Sequence, residues 1–119
     1  MDDIRRFLRE FNQLWVRPDV DAILANVTDD IRFIMAGKQP IEGKADFRSM
    51  FDDMPGHSSD MRLEIEDILV EGDRAVVSGL IRMADSDGDC RNYAFCDVYR
   101  LEGRLVAELK AYVVEADGN

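Results

Sequence analysis

Hydrophobic residues in the first half of the chain recur every three or four positions, which is the spacing of amphipathic helices. The pattern predicts a first helix over 2–16, a short second helix over 18–27 that begins at a proline and an aspartate, and a third helix over 44–54. A short strand is predicted at 29–37. The apolar stripe of the first helix is Ile4, Phe7, Leu8, Phe11, Leu14 and Trp15, and that of the third is Phe47, Met50, Phe51 and Met54.

From Met61 onward the hydrophobic period changes to two, the alternation that is typical of β-strands. Residues 61–85 are predicted to form two long strands around a Gly72–Asp73 turn, and residues 91–116 a second hairpin divided at Glu102–Gly103. Helices gathered early and antiparallel strands gathered late predict an α+β fold. In such a fold the helices cover one face of a curved sheet.

The length, net charge and cysteine content of the chain indicate how many domains it has, which partners it is expected to avoid and where it is located. The length of 119 residues fits one domain spanning 1–119 with a single core. Acidic residues outnumber basic ones 25 to 15, and the resulting net charge of −10 repels nucleic acid and anionic lipid, so neither is an expected partner. Cys90 and Cys96 lie about 20 Å apart along one predicted strand, too far to bridge each other. Free thiols and the lack of an apolar run of about 20 residues predict a cytoplasmic protein.

The sequence gives no sign of a metal site or of a cofactor. His57 is the single histidine, and the two cysteines are far apart, so no ligand spacing typical of zinc occurs. The glycines stand in turns and do not form a phosphate-binding run. We therefore predict no metal and no cofactor. His57 is interpreted as an exposed loop residue, with a position at the rim of a pocket as the alternative.

Residues 93–101, "YAFCDVYRL", place a carboxylate on an aromatic stripe, because Asp97 alternates with Tyr93, Phe95 and Tyr99. Desolvation by aromatic neighbours raises the pKa of a carboxylic acid, and active sites often use such groups. The stripe therefore predicts that Asp97 forms the floor of a small-molecule pocket.

The partner of Asp97 depends on the register of the last hairpin. A two-residue turn at Glu102–Gly103 would place Asp97 opposite Glu108 and Phe95 opposite Lys110. Two facing carboxylates would favour a catalytic pair. The alternative interpretation is structural: Asp97 forms an ion pair with Lys110 diagonally across the strands, or with a second subunit.

Neither face of this predicted hairpin is plainly polar. The face that does not carry Asp97 would pair Cys96 with Leu109 and Val98 with Ala107. A sheet with one face open to water shows polar residues on that face. We therefore predict that helices cover one face and a second copy of the chain covers the other, which makes the protein a homodimer.

In this order of elements the chain resembles the nuclear transport factor 2-like superfamily, which includes ketosteroid isomerases, SnoaL-like polyketide cyclases and limonene-epoxide hydrolases. The likeness covers nearly the whole chain and rests on the order of the first helix, "DVDAILANVTDDIRF", "GKQPIEGKADFRSMF", two hairpins and "CDVYRLEGRLVAELKAYV". The resemblance implies a cone: a strongly curved antiparallel sheet wrapped by three N-terminal helices. It also implies an apolar pocket in the mouth of the cone and frequent dimerisation through the sheet.

Ketosteroid isomerases are the most similar branch, by the stretches "CDVYRL" and "LKAYV". By this match Asp97 takes the place of a protonated aspartate, which an apolar site keeps neutral so that it donates a hydrogen bond to the developing enolate oxygen. The catalytic base would fall at Met35 or Ile34 and the essential tyrosine at Phe11. These side chains cannot move a proton, which argues against steroid isomerisation.

The other two branches also match in part. Epoxide hydrolases use an arginine and two aspartates; Arg82 lies near the expected strand, but Ala111 stands where the second aspartate is expected. SnoaL-like cyclases use an aspartate as acid and base with polar helpers, a role that Asp97 with Glu108 or His57 could take.

These observations predict a protein that binds an apolar small molecule through one aspartate, with isomerase-type chemistry on a carbonyl substrate if it is an enzyme. A SnoaL-like polyketide cyclase is the alternative, and so is a ligand-binding or dimerisation module without catalysis. The catalytic candidates are Asp97 and Glu108. The candidates for ligand binding are Phe11, Trp15, Phe33, Met35, Phe51, Tyr93, Phe95, Tyr99 and Tyr112.

Overall fold

The computed structural model describes residues 2–16, 19–53, 61–84 and 89–116. Three helices precede the long strands, which confirms the α+β fold class. His57 and Met54, which the sequence analysis singled out, lie outside the described residues. The elements are α1 (Asp2–Leu14), α2 (Val20–Ala25), β1 (Val27–Met35), β2 (Ile41–Glu42), α3 (Lys44–Asp53), β3 (Arg62–Glu71), β4 (Arg74–Ala84), β5 (Cys90–Glu102) and β6 (Leu105–Ala116).

The strands form one curved, open sheet in the order β2-β1-β6-β5-β4-β3. Neighbours are antiparallel except β1 and β6, which are parallel, so the prediction of a purely antiparallel sheet is wrong at this pair. Tight turns impose antiparallel pairing only on the strands that they join. Because α3 separates β1 and β2 from the two hairpins, no tight turn constrains the direction of β6 relative to β1. The short strand β2 was not predicted.

The helices pack against the concave face of the sheet, where the core lies. Leu8 and Phe11 of α1, Ile23 of α2 and Phe47 of α3 are all almost completely buried. Alternation along the strands supplies the opposing side chains, since every second residue faces the helices. The strand residues of this core include Ile31, Phe33, Val77, Phe95, Tyr99, Val106 and Leu109.

A glycine in β4 permits a close approach to β3. An added Cβ atom at Gly79 would lie 2.0 Å from the backbone oxygen of Glu64 in β3. In the same region the pairing of β3 with β4 shifts between Ile65 and Asp67, as at a β-bulge. Bulges and strand glycines are the usual places where a sheet bends. The curvature at β3 and β4 therefore depends on a residue without a side chain at position 79.

The first hairpin turns where predicted. Glu71 pairs with Arg74, so the loop consists of Gly72 and Asp73. Gly72 has a φ of 60°, a left-handed conformation that glycine adopts without steric cost.

The predicted turn of the second hairpin at Glu102–Gly103 is wrong. Glu102 pairs with Leu105, so the loop consists of Gly103 and Arg104. Gly103 has a φ of 62° and takes the first loop position, as Gly72 does in the first hairpin. The physical reason is the same in both hairpins, because this loop position requires a left-handed φ that only glycine adopts easily.

A β-bulge in β6 moves the register further. Leu101 pairs with Val106, but Arg100 pairs with Glu108, so Ala107 is an extra residue between the two pairs. Val106 and Ala107 are both buried, whereas successive residues of a regular strand point to opposite faces. The turn and the bulge together shift the pairing by an odd number of residues, which exchanges the two faces of β6 relative to the prediction.

No helix within the described ranges combines the length and the apolar character that crossing a membrane requires.

The replacement Gly79→Ala should lower the free energy of unfolding by about 3 kcal/mol, the upper end of the usual overpacking penalty. The new methyl group meets the backbone of Glu64, which cannot rotate away as a side chain can. Urea unfolding measures this loss. Gly72→Ala is the matched control: it has open space around its Cβ, and its left-handed φ should cost only about 1 kcal/mol. Equal losses in the two variants would contradict the role of Gly79 in the bend.

Candidate ligand-binding cavity

A cavity of about 200 Å³ lies between α1 and the concave face of the sheet. Its walls come from α1, from β1 and from the four long strands, so residues that are distant in sequence meet there. Most of the lining is apolar. The lining residues are Asn12, Trp15, Phe33, Met35, Met61, Leu63, Ile81, Phe95, Asp97, Tyr99, Leu109, Ala111 and Val113.

Asp97 is the one carboxylate among these lining residues. It lies in the middle of β5, opposite Val77 in β4 and Ala111 in β6. Neither neighbour can donate a hydrogen bond from its side chain. Burial raises the pKa of Asp97 from its ordinary value of 3.8 to about 7.

The Asp97 carboxylate has no hydrogen bond or ion pair with the part of the chain that the structure describes. In that same part, every side-chain nitrogen or oxygen that is fully buried has a hydrogen-bond partner. The unpaired oxygens of Asp97 are therefore in contact with accessible space, and the cavity is the space that Asp97 lines. An unpaired carboxyl group is thus available to a molecule that enters the cavity.

Asn12 and Tyr99 form a second polar pair at the cavity. The amide nitrogen Nδ2 of Asn12 donates hydrogen bonds to the carbonyl oxygen of Leu8, at 2.8 Å, and to the hydroxyl oxygen of Tyr99, at 3.1 Å. Burial and then the nearby Asp97 raise the pKa of Tyr99 well above its ordinary value, and the hydrogen bond from Asn12 opposes this shift. The Tyr99 phenol therefore keeps its proton at neutral pH.

An aromatic cluster forms the wall on the side of α3. The Trp15 ring stacks on Phe33 at 6.0 Å between ring centroids, and it also contacts Phe47 at 6.1 Å and Phe51 at 5.1 Å. These rings belong to the turn after α1, to β1 and to α3. Their packing fixes the position of Trp15, the largest side chain of the lining.

Of the residues proposed from the sequence for ligand binding, five line the cavity together with Asp97: Trp15, Phe33, Met35, Phe95 and Tyr99. Two others lie behind the wall. Phe11 is buried in the core, where its ring meets those of Trp15 and Tyr99, and Phe51 contacts Trp15. Both support lining residues and are not among the residues that line the cavity.

The two remaining tyrosines also lie outside the lining. Tyr93 alternates onto the same face as Phe95, but it pairs with Glu115 beyond the cavity. Tyr112 pairs with Cys96 on the outer face of the sheet and is 44% exposed. The shifted register of β6 is the reason that Tyr112 points away from the helices.

The predicted pairing of Asp97 with Glu108 is wrong. Glu108 lies opposite Arg100, and its carboxylate is 3.7 Å from the guanidinium of Arg32 on the outer face. Lys110 is opposite Val98 on that same outer face, so the predicted diagonal ion pair with Asp97 is absent from the described contacts. The register shift removes both polar neighbours of Asp97 and leaves Ala111 in their place.

Sequence reasoning missed Asn12 and most of the aliphatic lining. Asn12 follows Leu8 by four positions and precedes Trp15 by three, so it occupies the buried stripe of α1. A polar residue at such a position needs a hydrogen-bond partner. This was the signal that could have identified it. Met61, Leu63 and Ile81 carry no comparable signal, because an apolar residue on a concave strand face is equally typical of the core.

Within the described ranges, no three histidine, cysteine, aspartate or glutamate side chains are grouped so that they could hold a metal ion.

Comparison with known protein families shows that residues 4–109 match the SnoaL-like domain family. A comparison with curated proteins finds no match.

Solved structures with the same fold include three that cover most of this chain. A nuclear transport factor 2-like protein of unknown function from Burkholderia pseudomallei has a TM-score of 0.83 at 22% identity, covering 93% of this chain and 90% of that one. An epoxide hydrolase from M. tuberculosis, similar to limonene-epoxide hydrolase, has a TM-score of 0.79 at 16% identity, covering 95% and 84%. A protein from Jannaschia sp. named for SnoaL-like polyketide cyclases has a TM-score of 0.77 at 20% identity, covering 89% and 81%. At these identities the likeness shows the fold, and it confirms the resemblance that the sequence indicated.

The pKa of Asp97 predicts how stability depends on pH. Between the ordinary value of 3.8 and the raised value of about 7, the folded state binds more protons at Asp97 than the unfolded state does. The free energy of unfolding should therefore fall as pH rises through this window, by at most about 1.4 kcal/mol per pH unit. Asp97→Asn lacks this titration. The free energy of unfolding of Asp97→Asn minus that of wild type should therefore be larger at about pH 8 than at about pH 5, and urea unfolding measures both values. A ¹³C NMR titration should place the midpoint of the Asp97 carboxyl near 7; a midpoint at the ordinary value would contradict the burial argument.

Proposed function

This chain belongs to the SnoaL-like domain family, and we propose that it binds a small, neutral, largely apolar carbonyl compound in the cavity between α1 and the sheet. Asp97 is the polar anchor of this site. The proposal rests above all on one observation, the unpaired Asp97 carboxyl group on an otherwise mostly apolar wall.

The volume of the cavity limits the size of the ligand. An engineered apolar cavity of about 150 Å³ holds one benzene molecule, and sites for drug-sized ligands begin at about 300 Å³. The present cavity of about 200 Å³ lies between these values. A ligand with one ring or two fused rings suits this space, whereas the four fused rings of a steroid would not fit entirely within it.

The charge state of Asp97 favours a neutral ligand with a hydrogen-bond acceptor. With a pKa of about 7, the carboxyl group is substantially protonated at neutral pH and can donate a hydrogen bond to a carbonyl oxygen. A hydrogen bond formed away from water is stronger than the same bond in solution. An anionic ligand would meet both the ionised fraction of Asp97 and the net charge of −10.

Binding is the function that the lining supports best. Isomerase-type chemistry requires a base as well as a donor. By the family resemblance, the isomerase base falls at Met35 and the second aspartate of epoxide hydrolases at Ala111, and both of these lining residues are apolar here. Apart from Asp97, Tyr99 is the titratable member of the lining, and its raised pKa keeps it protonated at neutral pH, so it is not available as a base. Among the lining residues Asp97 is left as the single acid or base.

A cyclase-type reaction in which Asp97 both gives and takes the proton is the second candidate. The observation in its favour is again the pKa of about 7, because a group that titrates near the working pH serves equally well as acid and as base. SnoaL-like cyclases use one aspartate in this way, as the family resemblance implies.

We also propose that two copies of the chain associate through the outer face of the sheet. Pairing across β4, β5 and β6 places Leu80 beside Ala94 and Val114, and Val76 beside Val98. We call these five residues the outer apolar surface. Val114 is 64% exposed and Leu80 is 38% exposed, which is unusual for large apolar groups at the centre of a sheet.

The replacements Asp97→Leu and Asp97→Asn together test the anchor. Wild-type protein should bind 2-indanone more tightly than indane, which has the same ring system without the carbonyl oxygen. The advantage of 2-indanone should decrease as pH rises above about 7, because the ionised Asp97 cannot donate. In Asp97→Leu, which has no donor, the advantage should be smaller by about threefold or more near neutral pH, the value of one net hydrogen bond. In Asp97→Asn, whose amide N–H donates at every pH, the advantage should persist and should no longer depend on pH. Titration calorimetry measures these affinities.

Indane serves as the internal control, since its affinity should be the same in wild type and in Asp97→Asn. Equal affinities of the two compounds in wild type would overturn the proposal. An affinity for 2-indanone that rises with pH would also contradict it, because the ionised Asp97 cannot donate a hydrogen bond to the carbonyl oxygen.

The replacement Val114→Lys tests association through the sheet. The lysine introduces two unpaired charges into the interface, one from each copy, so the dissociation constant of the dimer should increase at least about tenfold. Sedimentation equilibrium measures this constant. Leu105→Lys is the matched control, because Leu105 is also exposed but lies beside the turn of the second hairpin, away from the outer apolar surface. A wild-type protein that is monomeric throughout would contradict the proposal.

A further inference from the structure

The side-chain amide of Asn12 has a fixed orientation. Its Nδ2 lies 2.8 Å from the carbonyl oxygen of Leu8 and 3.1 Å from the hydroxyl oxygen of Tyr99. A backbone carbonyl can only accept a hydrogen bond, so the amide atom that contacts Leu8 must be the NH₂ group. Both hydrogens of this group are therefore used within the protein, one toward each neighbour.

The amide oxygen of Asn12 is left as an acceptor. No donor among the described residues bonds to Oδ1, and the described part of the chain contains no fully buried side-chain oxygen that lacks a partner. The oxygen therefore contacts accessible space. Asn12 is only 5% exposed and lines the cavity, so the cavity is where this acceptor is available.

The hydroxyl group of Tyr99 is left as a donor. Its oxygen accepts the hydrogen bond from Asn12, and none of the described residues accepts its proton in turn. A phenol that already accepts a bond on one side places its own proton elsewhere. Tyr99 lines the cavity next to Asn12, so a donor and an acceptor stand side by side on this wall.

We propose that the donor of Tyr99 and the acceptor of Asn12 select a ligand in which an N–H or O–H group stands directly beside the carbonyl group, as in a secondary lactam. Such a ligand presents an acceptor and a donor on one edge and can bond to both residues at once. The inference rests on the proposed function, because the same carbonyl oxygen has a second lone pair that can accept from Asp97. A ligand without the N–H or O–H group would cover Asn12 Oδ1 without giving it a donor, which weakens binding.

Three compounds with nearly the same fused-ring shape test the inference. Oxindole has a carbonyl and an adjacent N–H group, 2-indanone has the carbonyl alone, and indane has neither. In wild-type protein the dissociation constant should increase from oxindole to 2-indanone and again to indane, by about three- to tenfold at each step, as expected for one net hydrogen bond. Titration calorimetry gives the constants, and NMR shifts of the Met35 and Leu63 methyl groups verify that the compounds enter the cavity.

Two replacements show which residue causes each difference in affinity between the compounds. Asn12→Leu removes the acceptor and should abolish the advantage of oxindole over 2-indanone, while indane binds as before. Tyr99→Phe removes the donor and should reduce the affinity for both carbonyl compounds about three- to tenfold. Tyr112→Phe is the matched control, because it removes the same hydroxyl group from the outer face, and its affinities should equal those of wild type.

A ligand-side measurement keeps the inference testable if Asn12→Leu does not fold. 1-Methyloxindole carries a methyl group in place of the N–H hydrogen, and it should bind to wild-type protein no more tightly than 2-indanone. In the oxindole complex, the N–H proton should shift downfield relative to free oxindole, as it does when it is hydrogen-bonded.

The outcomes separate the two proposals. An oxindole advantage of less than about twofold over 2-indanone in wild type, or one that survives Asn12→Leu, overturns this inference and leaves the role of Asp97 intact. Loss of the oxindole advantage in Asn12→Leu, together with affinities that do not respond to Asp97→Leu, supports this inference and overturns the anchor role of Asp97. Failure of all three compounds to enter the cavity of wild-type protein overturns both.

Discussion

The close approach of β3 and β4 at Gly79 is the constraint on which the shape of the sheet depends. A Cβ atom at this position would collide with the backbone of Glu64, so the two strands can bend together only around a glycine. Leu63 of β3 and Ile81 of β4 stand next to this bend and line the cavity. The position of this wall of the candidate site is therefore determined by backbone geometry and not by polar side chains.

Aromatic packing around Trp15 determines the position of the opposite wall of the cavity. Trp15 is held by rings from β1 and α3, so the helix cannot settle deeper onto the sheet without displacing several aromatic groups. Between these two walls lies Asp97, whose burial without a partner costs stability. A sequence optimised only for stability would carry an apolar residue there. An unpaired acid in this place is therefore better explained by a role in recognition or chemistry than by a role in folding.

The two hairpins show how far the sequence could predict the fold. Alternation identified all four long strands, and the same Glu-Gly pair begins both turns, at Gly72 and at Gly103. If the second turn had been predicted with its glycine in the first loop position, as in the first turn, its loop would have been placed correctly. That change in the prediction would not have revealed the bulge at Ala107 or the parallel pairing of β6 with β1. Such features arise from contacts between distant segments, and local pattern carries no information about them.

Because local pattern carries no information about such contacts, the sequence predicted only part of the candidate site. Alternation places Phe95, Asp97 and Tyr99 on one face, so the stripe could be read from β5 alone. The cross-strand neighbours of Asp97 could not be predicted from β5 alone. The register of β6 is shifted by an odd number of residues, so Ala111 stands opposite Asp97 where Glu108 was predicted. Asn12 could be suspected from its place in the apolar stripe of α1, but its contact with Tyr99 joins residues that are 87 positions apart. The polarity of the cavity is thus set by pairings across the fold: the register leaves Asp97 without a polar neighbour, and the contact between α1 and β5 directs the amide and the phenol.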